Sequence, residues 1–204
     1  STYPPAACGL ATFSEALREH LIAGDPGCVV GVVQVHDGAQ GEGRRREVVA
    51  TLDAEGRRNE AAAEALDRYD AVIVQHEYGI YGGRDGQSVI QVMDEVHRPV
   101  IVVLHTVLTE PTGHQREVLE EIVERADRVV VLSHTAAKRL TEVYGVPQEH
   151  VEVIPHGAPV APKPHKLGRT LRHLTRPTIL TWGLIGPGKG IEWAIDALAE
   201  LRSM

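Results

Sequence analysis

The sequence predicts an α/β fold built on a doubly wound parallel sheet, and three observations carry that expectation. Short runs rich in β-branched residues recur along most of the chain. Segments with helically spaced apolar residues separate them, and most of the runs are apolar throughout rather than alternating. Strands covered by helices on both faces have this unbroken apolar character. Strand–helix alternation at this pitch implies parallel pairing.

The elements follow in order. A helix is expected over Thr12–Ala23, stopped by Gly24-Asp25-Pro26, and then strands at Cys28–Val35 and Glu47–Leu52. An alanine-rich helix follows over Asn59–Tyr69, with Asn59 as its cap, and leads to the strand Ala71–Gln75. Helices at residues 86–97, 113–126 and 134–144 alternate with strands Val100–Leu104, Arg128–Leu132 and Val151–Ile154; Gly145 and Pro147 end the last of these helices. From Pro155 to Pro177 the chain carries five prolines among His, Lys and Arg residues, the composition of a linker. A strand at Thr178–Trp182, a glycine-rich turn and a helix at Ile191–Arg202 close the sequence. One strand and one helix cannot bury a core. The expected organisation is therefore a domain over residues 1–160, a linker over 161–177, and the first strand–helix unit of an incomplete second domain over 178–204. The front end reads as clipped in the same way, because Ser1-Thr2-Tyr3 enters a loop where this architecture wants a strand.

Composition narrows the function classes. A chain of 204 residues that is 43% hydrophobic and 24% charged is an ordinary globular protein. A net charge of -7 argues against nucleic acid as partner, since phosphate contacts need a basic face. Arg44-Arg45-Arg46 and Arg57-Arg58 are flanked by acidic residues and read as solvated loops. Cys8 and Cys28 are too few for a disulfide framework or zinc cluster, so reduced thiols and a cytoplasmic location are expected. No apolar run approaches the ~20 residues of a membrane span, and the start has no signal-peptide pattern. Peripheral membrane contact through an amphipathic patch stays open, as does the oligomeric state.

Ligands of open parallel sheets bind beyond the carboxyl ends of the strands. Five of the eleven histidines fall immediately after expected strands: His36, His76, His105, His134 and His156. That clustering marks the working edge. Gly9 either permits a tight turn or lets a phosphate reach the amides of the following helix. His105 alone would read as a backbone-bonded histidine. His76-Glu77 opens like a zinc-protease motif, but Ile80 stands where the second histidine belongs. A metal trio of His76, Glu77 and His105 is a minor alternative. In the turn Gly183-Leu184-Ile185-Gly186-Pro187-Gly188-Lys189-Gly190, Gly190 replaces the hydroxyl residue of a P-loop. A degenerate P-loop, a structural turn and a metal-free diphosphate clamp compete here; the clamp, with charge from Lys189 and amides from the glycines, is preferred.

Taken together, several segments resemble bacterial family 4 glycosyltransferases: Ser1-Thr2-Tyr3-Pro4-Pro5 with Cys8-Gly9-Leu10-Ala11-Thr12-Phe13, Gln75-His76-Glu77-Tyr78-Gly79, Val102-Val103-Leu104-His105-Thr106, Ala126-Asp127 with Val131-Leu132-Ser133, Val153-Ile154-Pro155-His156-Gly157, and the turn at Gly183–Gly190. The resemblance covers nearly the whole chain. It implies the GT-B fold, two Rossmann-like domains facing across a cleft, and a truncated start of the second. It also implies transfer of a sugar from a nucleotide-diphosphate donor, with retention and without a catalytic metal or other cofactor. By the same resemblance, Gly9, Gly188 and Lys189 would meet the donor diphosphate and His105 the reacting centre. His76, Glu77, Tyr78 and Ser133 would line the acceptor side. Two departures stand out. Leu184 occupies the place of an Arg that many relatives use as a second phosphate cation, and the chain ends before the family's Glu-x7-Glu motif. This polypeptide alone is therefore expected to lack useful activity. A nucleotide-sugar epimerase or hydrolase of the same fold, and a non-catalytic α/β ligand-binding module, are the alternatives. The donor sugar, nucleotide base and acceptor are not encoded in any pattern here.

Overall fold

A computed structural model describes residues 1–36, 45–53, 59–158, 179–181 and 189–203. The chain divides into two units, Ser1–Gly157 and Ala158–Met204. The first contains α1 (Gly9–Gly24), β1 (Val32–His36), β2 (Val48–Asp53), α2 (Asn59–Leu66), β3 (Val72–His76) and α3 (Ser88–Glu95). It continues through β4 (Val100–Leu104), α4 (Gly113–Glu124), β5 (Arg128–Val131), α5 (His134–Tyr144) and β6 (Val151–Val153). The second contributes α6 (Ile191–Ser203).

Every strand pairing in the described residues is parallel. They form a four-stranded sheet in the order β3-β4-β5-β6, with Val72 opposite Val100 and Val102 opposite Val129, and a separate pair β1-β2. The Rossmann-like α/β class matches the expectation, but the strands divide between two sheets because β1 and β3 are not hydrogen-bonded to each other. Within the larger sheet the apolar runs are buried as anticipated. Val102, Leu104, Val129 and Val131 pack with Leu119 and Ile122 of α4 and Leu140 of α5, all at or below 1% exposure. The alanines of α2 serve a similar end: Ala62, Ala63 and Ala65 are buried, and small side chains let a helix approach its sheet closely.

Element ends are set by identifiable groups. Thr112 and Gln115 form a reciprocal capping box at the start of α4, satisfying two backbone donors. Gly145, left-handed at φ 70°, closes α5 with its N–H on the Leu140 carbonyl. The helix expected over 86–97 starts later, because Asp85 and Gly86 have φ of 53° and 80° and form a 3₁₀ turn instead. The strand expected from Cys28 begins at Val32. Asp25 accepts the N–H groups of Gly27 and Cys28 in a turn that delays the ladder. Asn59, expected as a cap, donates its side-chain amide to Gln91 on α3.

In the second unit, Ile179, Leu180 and Thr181 of the expected strand Thr178–Trp182 form no ladder pairing with other described residues. Thr178, Trp182 and Gly183–Gly188 lie outside the described residues, as does most of the expected linker. No helix among the described residues is long and apolar enough to cross a membrane.

Candidate functional site

The segments that follow β4 and β6 meet α1 at Phe13. Cys8 caps that helix: its Sγ accepts the Ala11 N–H at 3.4 Å. Gly9 opens the first turn, and among the described residues a Cβ there would meet nothing within 4 Å. The chain's own packing does not demand glycine at this point, and the space beside it is open. A helix N-terminus presents unsatisfied N–H groups and a partial positive charge, which suits an anion.

One helical turn further on, at the spacing that keeps side chains on one face, Phe13 holds two histidines. Its ring meets His105 edge-on with centroids 4.8 Å apart and His156 at 5.1 Å. His105 follows β4 directly, and its backbone N–H extends the ladder to the His76 carbonyl at 3.1 Å. Its Nε2 lies 2.7 Å from the side-chain oxygen of Gln75 on β3. A carbonyl oxygen only accepts, so Nε2 carries the proton and Nδ1 keeps a lone pair. Burial first, and the neighbouring His156 second, lower the His105 pKa to about 4, so the imidazole is neutral at pH 7.

Behind this ring the site is built from the β3 end. His76 is fully buried and packs edge-on against Tyr78 at 5.0 Å. Neither of its ring nitrogens has a hydrogen-bond partner among the described residues. Burial, and secondarily His105, lowers its pKa to about 4. Sequence reasoning expects His76 on the cleft surface; the structure places it beneath. Glu77 is partly exposed and accepts the Thr106 hydroxyl at 2.5 Å and the Tyr78 N–H at 3.1 Å. The Tyr78 hydroxyl donates to the Gln115 carbonyl at 3.4 Å, and its pKa is raised, chiefly by burial.

Ser133 lies beyond β5, and its hydroxyl caps α5 by accepting the Ala136 N–H at 3.1 Å. Lys189 belongs to the second unit, where it is exposed two residues before α6; Gly188 lies outside the described residues. Among the described residues no three His, Cys, Asp or Glu side chains converge as metal ligands, so the His76–Glu77–His105 trio does not assemble.

Two groups were missed from sequence. Phe13, the only phenylalanine, stands four residues after Gly9 on the same helix face, and that spacing could have found it. The second is a clasp: His114 on α4 bonds Asp85 through Nδ1 at 2.7 Å and Gln87 through Nε2 at 2.9 Å, tying the loop after β3 to α4. Its members are 29 and 27 residues apart, and no local pattern signals them.

Comparison with known proteins adds two findings. The family model described as Glycosyltransferase Family 4 matches residues 32–161, more than half of the chain. The chain is also similar to a D-inositol 3-phosphate glycosyltransferase of Acidothermus cellulolyticus, 33% identical over 88 residues. That alignment covers 41% of this chain and 20% of the relative, so the matched part spans about a fifth of the relative's length.

Proposed function

Because the chain belongs to glycosyltransferase family 4, we propose that it forms the acceptor-side part of a GT-B enzyme. In this reading the enzyme moves a sugar from a nucleotide-diphosphate donor to an acceptor with retention of configuration. One observation carries the proposal: the open first turn of α1 at Gly9 lies one turn from Phe13, whose ring holds His105. An anion-binding group and a neutral imidazole thereby share one edge of the sheet.

The chemistry follows from where charge develops. When the bond between the sugar C1 and the diphosphate oxygen breaks, the bonding electrons leave with the diphosphate. Oriented N–H groups and a fixed cation stabilise that charge as it forms. The N–H groups that open α1 at Gly9 and Leu10 are the candidates for the first, and the family resemblance assigns the second to Lys189. His105 stands beside the transferred sugar as a neutral hydrogen-bonding group with its orientation fixed by Gln75. Glu77 and Tyr78 face the acceptor, while His76 supports them from below. Ser133 reaches the acceptor side only through the α5 start that it caps. The exposed apolar residues of α6, Trp193, Ile195, Leu198 and Leu201, support reading the second unit as part of a larger donor-binding domain.

The test uses the full-length gene product with a panel of nucleotide sugars, reading donor hydrolysis and transfer. His105→Ala and Lys189→Ala are each expected to lower kcat by roughly 100-fold or more, the usual effect of removing one transition-state contact. Unchanged turnover in both variants would remove the site assignment. A donor-hydrolysis product of inverted configuration would remove the retaining mechanism.

A further inference from the structure

The loop between β3 and α3 takes a path that most side chains avoid. Gly83, Asp85 and Gly86 lie at φ of 77°, 53° and 80°, and among the described residues Asp85 is the one non-glycine residue at positive φ. A side chain stays in the left-handed region where surrounding contacts hold it there. For Asp85 that contact is His114, whose Nδ1 lies 2.7 Å from Oδ2 with both side chains largely buried. Gln87 completes the grip, its side-chain oxygen 2.9 Å from His114 Nε2.

The helix is the stiffer side of this clasp. His114 is the second residue of α4, inside the Thr112–Gln115 capping box, and Val118, Leu119 and Ile122 of the same helix are buried in the core. The Tyr78 hydroxyl bonds the Gln115 carbonyl beside it. The loop is thus tied to one helix start near both of its ends.

The gripped turn bears directly on Glu77 and Tyr78. Gly86 is buried, and a Cβ there would lie 3.0 Å from the Tyr78 carbonyl oxygen and 3.7 Å from that of Glu77. The turn therefore backs the backbone of these two residues without room to spare. The Tyr78 N–H in turn bonds Glu77 Oε1, while Oε2 takes the Thr106 hydroxyl. A displacement of Asp85 reaches the Glu77 carboxylate along this line. His105 lies off it, held by Gln75 and by the His76 carbonyl.

We propose that His114 is a positioning residue for the acceptor side: through Asp85 and Gln87 it holds the turn that backs Glu77 and Tyr78, and so sets where those side chains stand. This rests on the reading of Glu77 and Tyr78 as acceptor contacts. His114 touches no substrate in this arrangement. Its loss acts on acceptor binding and spares the donor-side groups at Gly9 and His105.

The experiment uses the full-length gene product as wild type, His114→Ala, His114→Asn and Asp85→Gly. Amide hydrogen exchange at Tyr78 and Gln87 is read beside donor hydrolysis in water and transfer to glucose, mannose, glycerol and myo-inositol. His114→Ala is expected to speed exchange at Tyr78 and Gln87 about tenfold and to raise the acceptor KM by a similar factor, with kcat and donor hydrolysis unchanged. His114→Asn keeps a side-chain N–H for Asp85 and should recover most of the KM. Asp85→Gly enters the turn without strain but lacks the carboxylate; it should match His114→Ala, and combining the two should add little. Unchanged exchange at Tyr78 in His114→Ala would overturn the proposal. So would an equal fall in hydrolysis and transfer, because general loss of structure would then explain both. Wild-type transfer to none of the probes, with hydrolysis intact, would set aside the acceptor reading and the proposal with it. If the wild type hydrolyses no donor, the transferase reading fails, while exchange at Tyr78 still decides whether His114 holds the turn.

Discussion

His76 is a fully buried polar ring, at 0% exposure, and neither of its nitrogens has a hydrogen-bond partner among the described residues. Its presence at the end of β3 is legible from the sequence, since a strand ending in Gln-His-Glu reads as an edge of chemistry. Its depth is not, because burial there depends on Tyr78 folding back over the ring. The lowered pKa makes a sign-definite prediction. The unfolded state takes up a proton near the ordinary value of 6.5, and the folded state resists it until about 4. Stability is therefore fully present above 6.5 and lost as pH falls towards 4, by roughly 3 kcal/mol from this group. His76→Leu removes the titration while keeping similar volume. Urea unfolding at pH 7, 5.5 and 4 should show a shallower acid decline in the variant. An identical decline in both proteins would mean that His76 does not hold its neutral form in the fold.

At the scale of elements, most helix ends were readable because their signals are local. Gly145 and Pro147 announce the end of α5, and the left-handed φ at Gly145 is the conformation such a signal predicts. The late start of α3 was not readable. It follows from Asp85 being drawn to His114, a contact between segments 29 residues apart. Ser133 shows how one residue can be read at two scales. Sequence position places it on the working edge, while the structure uses its hydroxyl to cap α5. Losing a serine cap costs about 1 kcal/mol. Ser133→Ala should therefore lower the unfolding free energy by about that amount, and Ser133→Asp, which can also cap, should recover most of it. If neither substitution moves the urea midpoint, the cap contributes nothing and the hydroxyl is free for the cleft. If both lower it equally, packing rather than capping holds the site.

For the whole molecule, alternation of apolar runs and helical segments was sufficient to name a parallel α/β architecture. It was insufficient to show which strands pair, because pairing depends on neighbours distant in sequence: among the described residues β3 lies beside β4, while β1 pairs with β2 and bonds Ser1.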